Sequence, residues 1–289
     1  MRRAGSAIAA YIELTKPSIM LLVVFTGAAA LVVEGSLLDE PGRLALVLLG
    51  LFLTGGSANA LNQYLERDID ARMARTSGRR PLPTGRVQPT AALVFSIAIG
   101  VVGIGLFAWF FNLLTAGLAL TNIMFYGLFY TLYLKPSTPQ NIVLGGIAGA
   151  MAPVGAWTAA TGRMDILPWL MFLIIFMWTP PHFWALALRL QDDYRRTGLP
   201  MYPLVRGDQA TRDSIFRYTI GLVAASLTLL YFGMHWTYLA AAVFLGGIFL
   251  VKAWTARRTV DMARLRGLFR YSLLYLFGLF TALIIDTLV

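Results

Sequence analysis

The sequence predicts an all-α integral membrane protein: nine transmembrane helices, arranged as two four-helix pseudo-repeats plus a terminal helix. Three observations lead there. Hydrophobic residues make up 58% of the 289 and charged residues only 13%, about half the roughly 25% usual for soluble domains. Nine apolar stretches can be counted, and at about 20 residues each they consume most of the chain. Two of the polar segments between them echo one another. What remains suffices for connectors, so residues 1–289 read as a single polytopic domain. Cysteine is absent, which excludes disulfides, thiolate metal sites and a cysteine nucleophile.

In chain order, Arg2 and Arg3 look like the start of a signal peptide. The apolar run after them is short and meets Glu13 and Lys16, so a surface helix leading into the first span is expected instead. The spans run 18–34, 43–63, 90–111, 113–134, 141–160, 166–188, 215–233, 236–252 and 268–289. Each is long enough to cross about 30 Å of hydrocarbon as a helix. In the fifth, Gly145-Gly146-Ile147-Ala148-Gly149-Ala150 allows close helix contact. In the sixth, Pro180-Pro181 should kink or break the helix near the membrane surface.

Nine spans alternate the connecting segments between two sides. All of the 24 basic residues except Arg43 and Arg163 then fall on one side, while Glu34, Asp39, Glu40, Asp165 and Asp286 fall on the other. The positive-inside rule places the N-terminus and the long loops in the cytoplasm and the C-terminus across an inner, cytoplasmic membrane. Topology thus accounts for the net charge of +10. No basic run is interleaved with aromatic residues, and nucleic acid is not an expected partner.

The echo pairs Leu14-Thr15-Lys16-Pro17-Ser18, before span one, with Leu134-Lys135-Pro136-Ser137, before span five. Spans two and six both end in acidic segments, at Asp68/Asp70 and at Asp192/Asp193. The similar offsets suggest a parallel duplication, and repeat-built membrane proteins tend to place their site where the halves meet.

The first acidic segment reads Asn62-Gln63-Tyr64-Leu65-Glu66-Arg67-Asp68-Ile69-Asp70, followed by Arg72, Arg75, Arg79, Arg80 and Arg86. If span two continues as a helix, Asn62, Glu66 and Asp70 lie at i, i+4 and i+8 and share an arc of about 80°, with Asp68 pointing elsewhere. A row of amide and carboxylate oxygens suits Mg²⁺, and the nearby arginines suit a phosphorylated ligand. The plainer alternative is a solvated loop whose acids pair with its own arginines. The second segment is Gln191-Asp192-Asp193-Tyr194-Arg195-Arg196. Two acidic helix ends from opposite halves could converge on one diphosphate and make it a good leaving group. His182, in Thr179-Pro180-Pro181-His182-Phe183-Trp184, lies about 15 Å along a helix from Asp192. It suits either a second substrate bound deeper or a structural hydrogen bond. His235 sits in a short connector as a surface residue. Tyr64, Tyr126, Tyr130, Tyr133 and Trp184 could line a polyprenyl groove or stabilise a cation, or simply pack. No phosphate-cradling glycine loop, nucleophile elbow or paired-histidine zinc motif is present.

The pattern Asn-x-x-x-Glu-x-x-x-Asp over Asn62–Asp70, with Arg-Asp-Ile-Asp and Arg79-Arg80-Pro81-Leu82-Pro83-Thr84-Gly85-Arg86, resembles the intramembrane (UbiA-type) prenyltransferase superfamily. Leu14-Thr15-Lys16-Pro17, Leu134-Lys135-Pro136 through Asn141-Ile142-Val143, Asp192-Asp193-Tyr194 and Gly198-Leu199-Pro200-Met201 extend the resemblance, and Pro180-Pro181-His182-Phe183-Trp184 with the arginine-rich loop points to the branch that modifies heme. The resemblance implies farnesyl diphosphate and heme B as substrates, heme O and diphosphate as products, and Mg²⁺ as cofactor. The lipid bilayer is the implied medium and a downstream heme-modifying enzyme an implied partner. Asn62, Glu66 and Asp70 would hold one Mg²⁺–diphosphate contact, and Asp192 and Asp193 the other. Asp70, Asp193 and Arg75 would be catalytic. Arg79, Arg80 and Lys135 would contact phosphate, with Lys16, Arg67, Asn141, Tyr194 and His182 as further substrate contacts. Three positions depart from the pattern: Glu66 where aspartate is usual, Ser18 where arginine is common after Lys-Pro, and Gln191 where lysine is frequent. A quinone-precursor prenyltransferase would share the diphosphate apparatus. A transporter would carry ionisable residues within several spans, whereas here nearly all charges sit at span ends or in loops.

Overall fold

The computed structural model describes residues 2–258 and 261–289, with side chains from residue 7 onward. The side chains of Arg2 and Arg3 therefore lie outside the described residues. Among those residues no strand occurs, and nine helical stretches are long and apolar enough to cross a membrane.

Helix α1 (Arg2–Leu14) is the expected surface helix. It buries Ala10 and Leu14, exposes Ile8 and Ile12, and sets Tyr11 against Phe95 at 5.1 Å between ring centres. Spans one to three are α2 (Pro17–Glu34), α3 (Pro41–Leu65) and α6 (Pro89–Phe110). Two short helices, α4 (Arg67–Arg72) and α5 (Ala74–Ser77), lie in the first long loop. Small residues set the α3–α6 approach: a Cβ on Gly100 would lie 2.6 Å from Ser57 Oγ, and one on Gly103 2.7 Å from Thr54 Cγ2. Without a hydrophobic drive between helices in lipid, such contact is the main source of association.

The fourth span begins as α7 (Leu113–Met124), continues as a π-helix (Phe125–Leu134) and ends in the one-turn α8 (Lys135–Ser137). The fifth is two helices, α9 (Asn141–Ala150) and α10 (Ala152–Thr161), parted at Met151 just before Pro153. The expected close contacts hold at Gly145, against Tyr130, and at Gly146, against Thr179, but Gly149 faces open space. Of the kink or break expected at Pro180-Pro181, the break is not found: α11 (Ile166–Ala187) runs through both prolines. Prolines are tolerated in a span where protein rather than lipid surrounds the freed carbonyls, and Pro180 and Pro181 are both buried.

After α12 (Gln191–Thr197), the last spans exceed their apolar stretches on the basic side. They are α13 (Tyr202–Leu227, extended by a 3₁₀ turn over Thr228–Phe232), α14 (Trp236–Arg258) and α15 (Met262–Leu288). Hydropathy reports only the lipid-immersed part of a helix, and these ends continue as charged helix, with Arg257 Nε on Asp213 Oδ1 at 2.6 Å.

Contacts between helix ends agree with the alternation. At one end Arg43 lies over the Phe111 ring, Asn112 donates to the Thr158 carbonyl, and Asp286 meets the 233–235 connector. At the other end lie Lys16, Asn62, Lys135 and Asp193. Asp286 acts across helices: its carboxylate accepts from His235 N–H (2.7 Å) and Tyr238 N–H (3.0 Å), satisfying the amino end of α14. Asp286→Ala should therefore lower stability by about 2 kcal/mol, read as a reduced unfolding midpoint in detergent, with Asp286→Asn less affected.

Candidate active site

α3 ends at Leu65, and Glu66 leaves helical geometry (φ −92°, ψ 6°) before α4 begins. The i→i−4 hydrogen bonds nonetheless continue, from Glu66 N–H to Asn62 O (3.0 Å) and from Asp70 N–H to Glu66 O (2.8 Å). Asn62, Glu66 and Asp70 thus keep the predicted column and are all buried, while Asp68 points outward with its side chain 86% exposed. Each member of the column has a basic partner from a different segment. Lys16 Nζ donates to Asn62 Oδ1 (2.8 Å), Lys135 Nζ to Glu66 and Arg80 Nη1 to Asp70. The loop-internal pairing expected of a plain solvated loop holds for Arg80 with Asp70 and, at 3.9 Å, for Arg67 with the exposed Asp68, but not for Glu66. Lysines from the two echoed Lys-Pro motifs reach the same column.

The column has its own electrostatics. Burial pushes the Glu66 carboxyl up, but Lys135, Lys16 and Arg80 outweigh it and leave Glu66 below its ordinary value. At Asp70 burial prevails over Arg80, and its carboxyl is raised. Burial, reinforced by Arg80, lowers the Lys16 ammonium to about 7. Lys16 is also the only non-glycine residue at positive φ (53°) among the described residues, a conformation costing about 1–2 kcal/mol. Side chains of α3 hold this turn: Asn59 donates to the Thr15 carbonyl, and Gln63 to those of Glu13 and Leu14.

The second acidic segment meets the first through Asp193. Its Oδ1 accepts from Ala74 N–H (3.1 Å) and its Oδ2 from Arg75 N–H (3.2 Å), across more than a hundred residues of chain. Asp193 is buried, whereas Asp192 turns outward with its side chain 87% exposed and pairs with Arg195 at 2.9 Å. Tyr194 is half-buried; burial raises its hydroxyl, with Arg75, Glu66 and Arg80 as electrostatic neighbours. The Arg75 and Arg79 side chains are exposed, and Arg75 lies within electrostatic reach of Tyr194. Arg67 is held aside over the Tyr64 ring and on the Tyr64 carbonyl. Asn141 is fully buried and donates to the Lys135 carbonyl (3.1 Å), so it positions that lysine's backbone.

The π-helix completes this wall. Thr131 Oγ1 donates to the Tyr126 carbonyl and receives Asn62 Nδ2 at 3.1 Å. Tyr126 and Tyr130 stack in parallel at 5.2 Å, and Tyr126 lies within electrostatic reach of Glu66 and Arg80. Tyr133 faces outward, and Trp184 packs against Tyr202 and Tyr218. The sequence reading missed Thr131, Asn59 and Gln63. Polar residues within apolar spans were the available signal for them.

His182 lies apart, between α11 and α15. Its ring is sandwiched by Trp178 and Phe269, and its Nδ1 pairs with Ser272 Oγ at 2.7 Å. His235 is exposed and near Asp286, as expected of a connector residue. No group of three or more His, Cys, Asp or Glu side chains placed to hold a metal occurs among the described residues. The oxygens of Asn62, Glu66 and Asp70 form a hard donor set short of full coordination, which fits an ion that takes its remaining ligands from water and phosphate.

Comparison with known proteins names this arrangement. The profile of the UbiA prenyltransferase family matches residues 21–280. The chain belongs to the UbiA prenyltransferase family. Curated relatives of this prenyltransferase include the protoheme IX farnesyltransferase of Alkalilimnicola ehrlichii, 47% identical over 96% of this chain and 91% of the relative. That of Synechocystis is 44% identical over 98% and 90% respectively. Among solved structures, a digeranylgeranylglyceryl phosphate synthase aligns with a TM-score of 0.79 at 16% identity, covering 97% of this chain and 98% of its own. A UbiA homologue from Archaeoglobus fulgidus bound to DMAPP and Mg²⁺ aligns with a TM-score of 0.63 at 14% identity, covering 94% of this chain and 98% of its own.

In this prenyltransferase the loop over 73–77 is anchored by two charge-assisted bonds to Asp193. Asp193→Ala should free it, raising tryptic cleavage at Arg75 and Arg79 by about tenfold or more relative to wild type.

Proposed function

We propose that this prenyltransferase transfers the farnesyl group of farnesyl diphosphate to a vinyl group of heme B, with addition of water, giving heme O and diphosphate. The observation that carries the reading is the meeting of two acidic segments, through Asp193 and the Ala74–Arg75 amides, beside a buried column that Lys16, Lys135 and Arg80 already serve. The kinship to protoheme IX farnesyltransferases at 44–47% identity supports heme as acceptor. The Archaeoglobus homologue bound to DMAPP and Mg²⁺ supports a metal-assisted diphosphate site. The basic end of the bundle faces the cytoplasm of an inner membrane by the positive-inside rule.

Asn62, Glu66 and Asp70 would hold one Mg²⁺, and Asp193, with Asp192 if α12 turns, a second. Mg²⁺ supplies charge neutralisation to the leaving diphosphate. Lys135 and Arg80, which here pair with Glu66 and Asp70, would be free to turn to the phosphate oxygens with Lys16, Arg75 and Arg79 if those carboxylates held the ion. Arginine forks grip two oxygens at once, which orients the diphosphate as well as binding it. Charge withdrawn by these side chains weakens the farnesyl C–O bond, and the electron pair leaves with diphosphate. The stacked Tyr126 and Tyr130 rings present π-faces to an allylic cation and keep water from it. A heme vinyl carbon bonds to farnesyl C1, and water adds to the resulting porphyrin-side cation with loss of a proton. Tyr194 and Arg67 border the diphosphate site, and Asn141 keeps Lys135 in reach. His182 contacts heme through Nε2, the nitrogen that Ser272 leaves open, an arrangement usual for ligating histidines.

Purified protein given farnesyl diphosphate, heme B and Mg²⁺ should yield a porphyrin whose mass has risen by one farnesyl group and one water. An unchanged porphyrin overturns the reading. Asp70→Ala and Asp193→Ala should each lower kcat/KM by about a hundredfold or more while the protein remains folded, and chelation of Mg²⁺ should stop turnover. For His182→Ala, a heme absorption spectrum identical to wild type would reject the ligand role.

A further inference from the structure

Arg212 of α13 is only 6% exposed, yet its Nε and Nη1 have no hydrogen-bond partner. Nη2 alone is used, donating to Gln209 Oε1 at 2.9 Å. A guanidinium removed from water with open donors is unfavourable unless an anion completes it. The acids closest in sequence are engaged elsewhere. Asp213 takes Arg257 Nε at 2.6 Å and Gln209 Nε2 at 3.1 Å, and Asp208 takes Gln191 Nε2 at 2.8 Å.

The backbone beside Arg212 is the second, independent feature. Gly207 adopts φ 81°, ψ 167° inside α13, a combination essentially confined to glycine. The helix therefore restarts over residues 208–227, with Thr211 Oγ1 closing on the Gly207 carbonyl at 2.8 Å. A restarted helix opens a new amino end, with unpaired amides and a positive dipole. Helical side chains lean toward the amino end, and the Arg212–Gln209 bond shows that this one does. The same segment is tied to the diphosphate site, because Asp208 is held by Gln191, two residues before Asp193. Trp184 Nε1, on the α11 face packed against Tyr202 and Tyr218 of α13, is another buried donor without an acceptor.

We propose that Arg212 and the helix end after Gly207 form a carboxylate subsite that receives a propionate of the porphyrin acceptor; this rests on the acceptor assigned under the proposed function. Protoheme carries its vinyl groups and its propionates on opposite edges of the macrocycle. A cation that fixes the propionate edge therefore leaves the vinyl edge free to turn toward the farnesyl carbon. The planar fork of arginine matches a carboxylate in two directions. A phosphate from an acidic lipid shares this anionic chemistry.

The test titrates full-length wild type, Arg212→Met and Arg212→Lys with protoheme and with its dimethyl ester, following Soret absorbance in neutral detergent with and without phosphatidylglycerol. Wild type should prefer protoheme over the ester by about 10- to 100-fold. Arg212→Met should lose that preference by weakening protoheme alone, Arg212→Lys should keep part of it, and binding of farnesyl diphosphate should be unchanged in all three. Methionine fills a similar volume without the charge, so a retained or raised unfolding midpoint accompanies the expected result. Equal affinity of wild type for both porphyrins, or equal weakening of both by Arg212→Met, overturns the subsite while the acceptor assignment stands. Competition by phosphatidylglycerol that vanishes in Arg212→Met, with no preference between the porphyrins, reassigns the anion to lipid and also overturns it. Failure of wild type to bind either porphyrin overturns the acceptor assignment and the subsite with it.

Discussion

Two carboxylates and an amide buried at one rim of a membrane bundle cannot stand alone, and the surrounding structure follows from that constraint. An unpaired buried carboxylate is prohibitively unfavourable, so Glu66 and Asp70 draw in Lys135 and Arg80, while Asn62 takes Lys16. These cations come from three separate segments: the turn before α2, the loop after α5, and the start of α8. Pairing therefore does more than neutralise charge. It fixes the loops of both halves against one short column, and with three cations for two carboxylates it leaves a net attraction for an anionic ligand.

Irregular backbone gathers around the same column, and in lipid each irregularity needs a protein partner. The left-handed Lys16 follows carbonyls that Asn59 and Gln63 satisfy. In the π-helix, Thr131 bonds back to the Tyr126 carbonyl and is itself held by Asn62. Near the break at Met151, Asn122 donates to the Ala148 carbonyl. The amides and hydroxyls scattered through apolar spans thus have a common physical role. They permit the turns that bring charged residues to the rim, and π-helical segments are common where function requires such distortion.

Much of the site was legible because local geometry determined it. The spacing of Asn62, Glu66 and Asp70 places them on one face whether or not the helix is interrupted at Glu66, since the i→i−4 bonds persist. The Lys-Pro echo likewise proved spatial: both lysines converge on that face. Where tertiary orientation decides, sequence was silent. Nothing in Asp192-Asp193 says which faces inward, because the tilt of α12 settles it. Pro180-Pro181 did not break α11, where both prolines are buried among neighbouring helices. The charged extensions of α13, α14 and α15 fell below any hydropathy threshold. Arg212 was one of six basic residues in a segment, and only its burial without partners sets it apart.

The link through Asp193 explains how one loop can be both fixed and available. Had Asp193 paired with the guanidinium of Arg75, the two would have neutralised each other and removed a cation from the rim. It instead binds the backbone amides of Ala74 and Arg75, so the Arg75 side chain stays exposed and unneutralised near Tyr194. A carboxylate offers about four lone-pair positions, and two amide contacts leave room for a further ligand on the same group. Anchoring the loop and receiving a cation are therefore compatible at Asp193. The halves of the molecule are joined by the same atoms that face the proposed diphosphate.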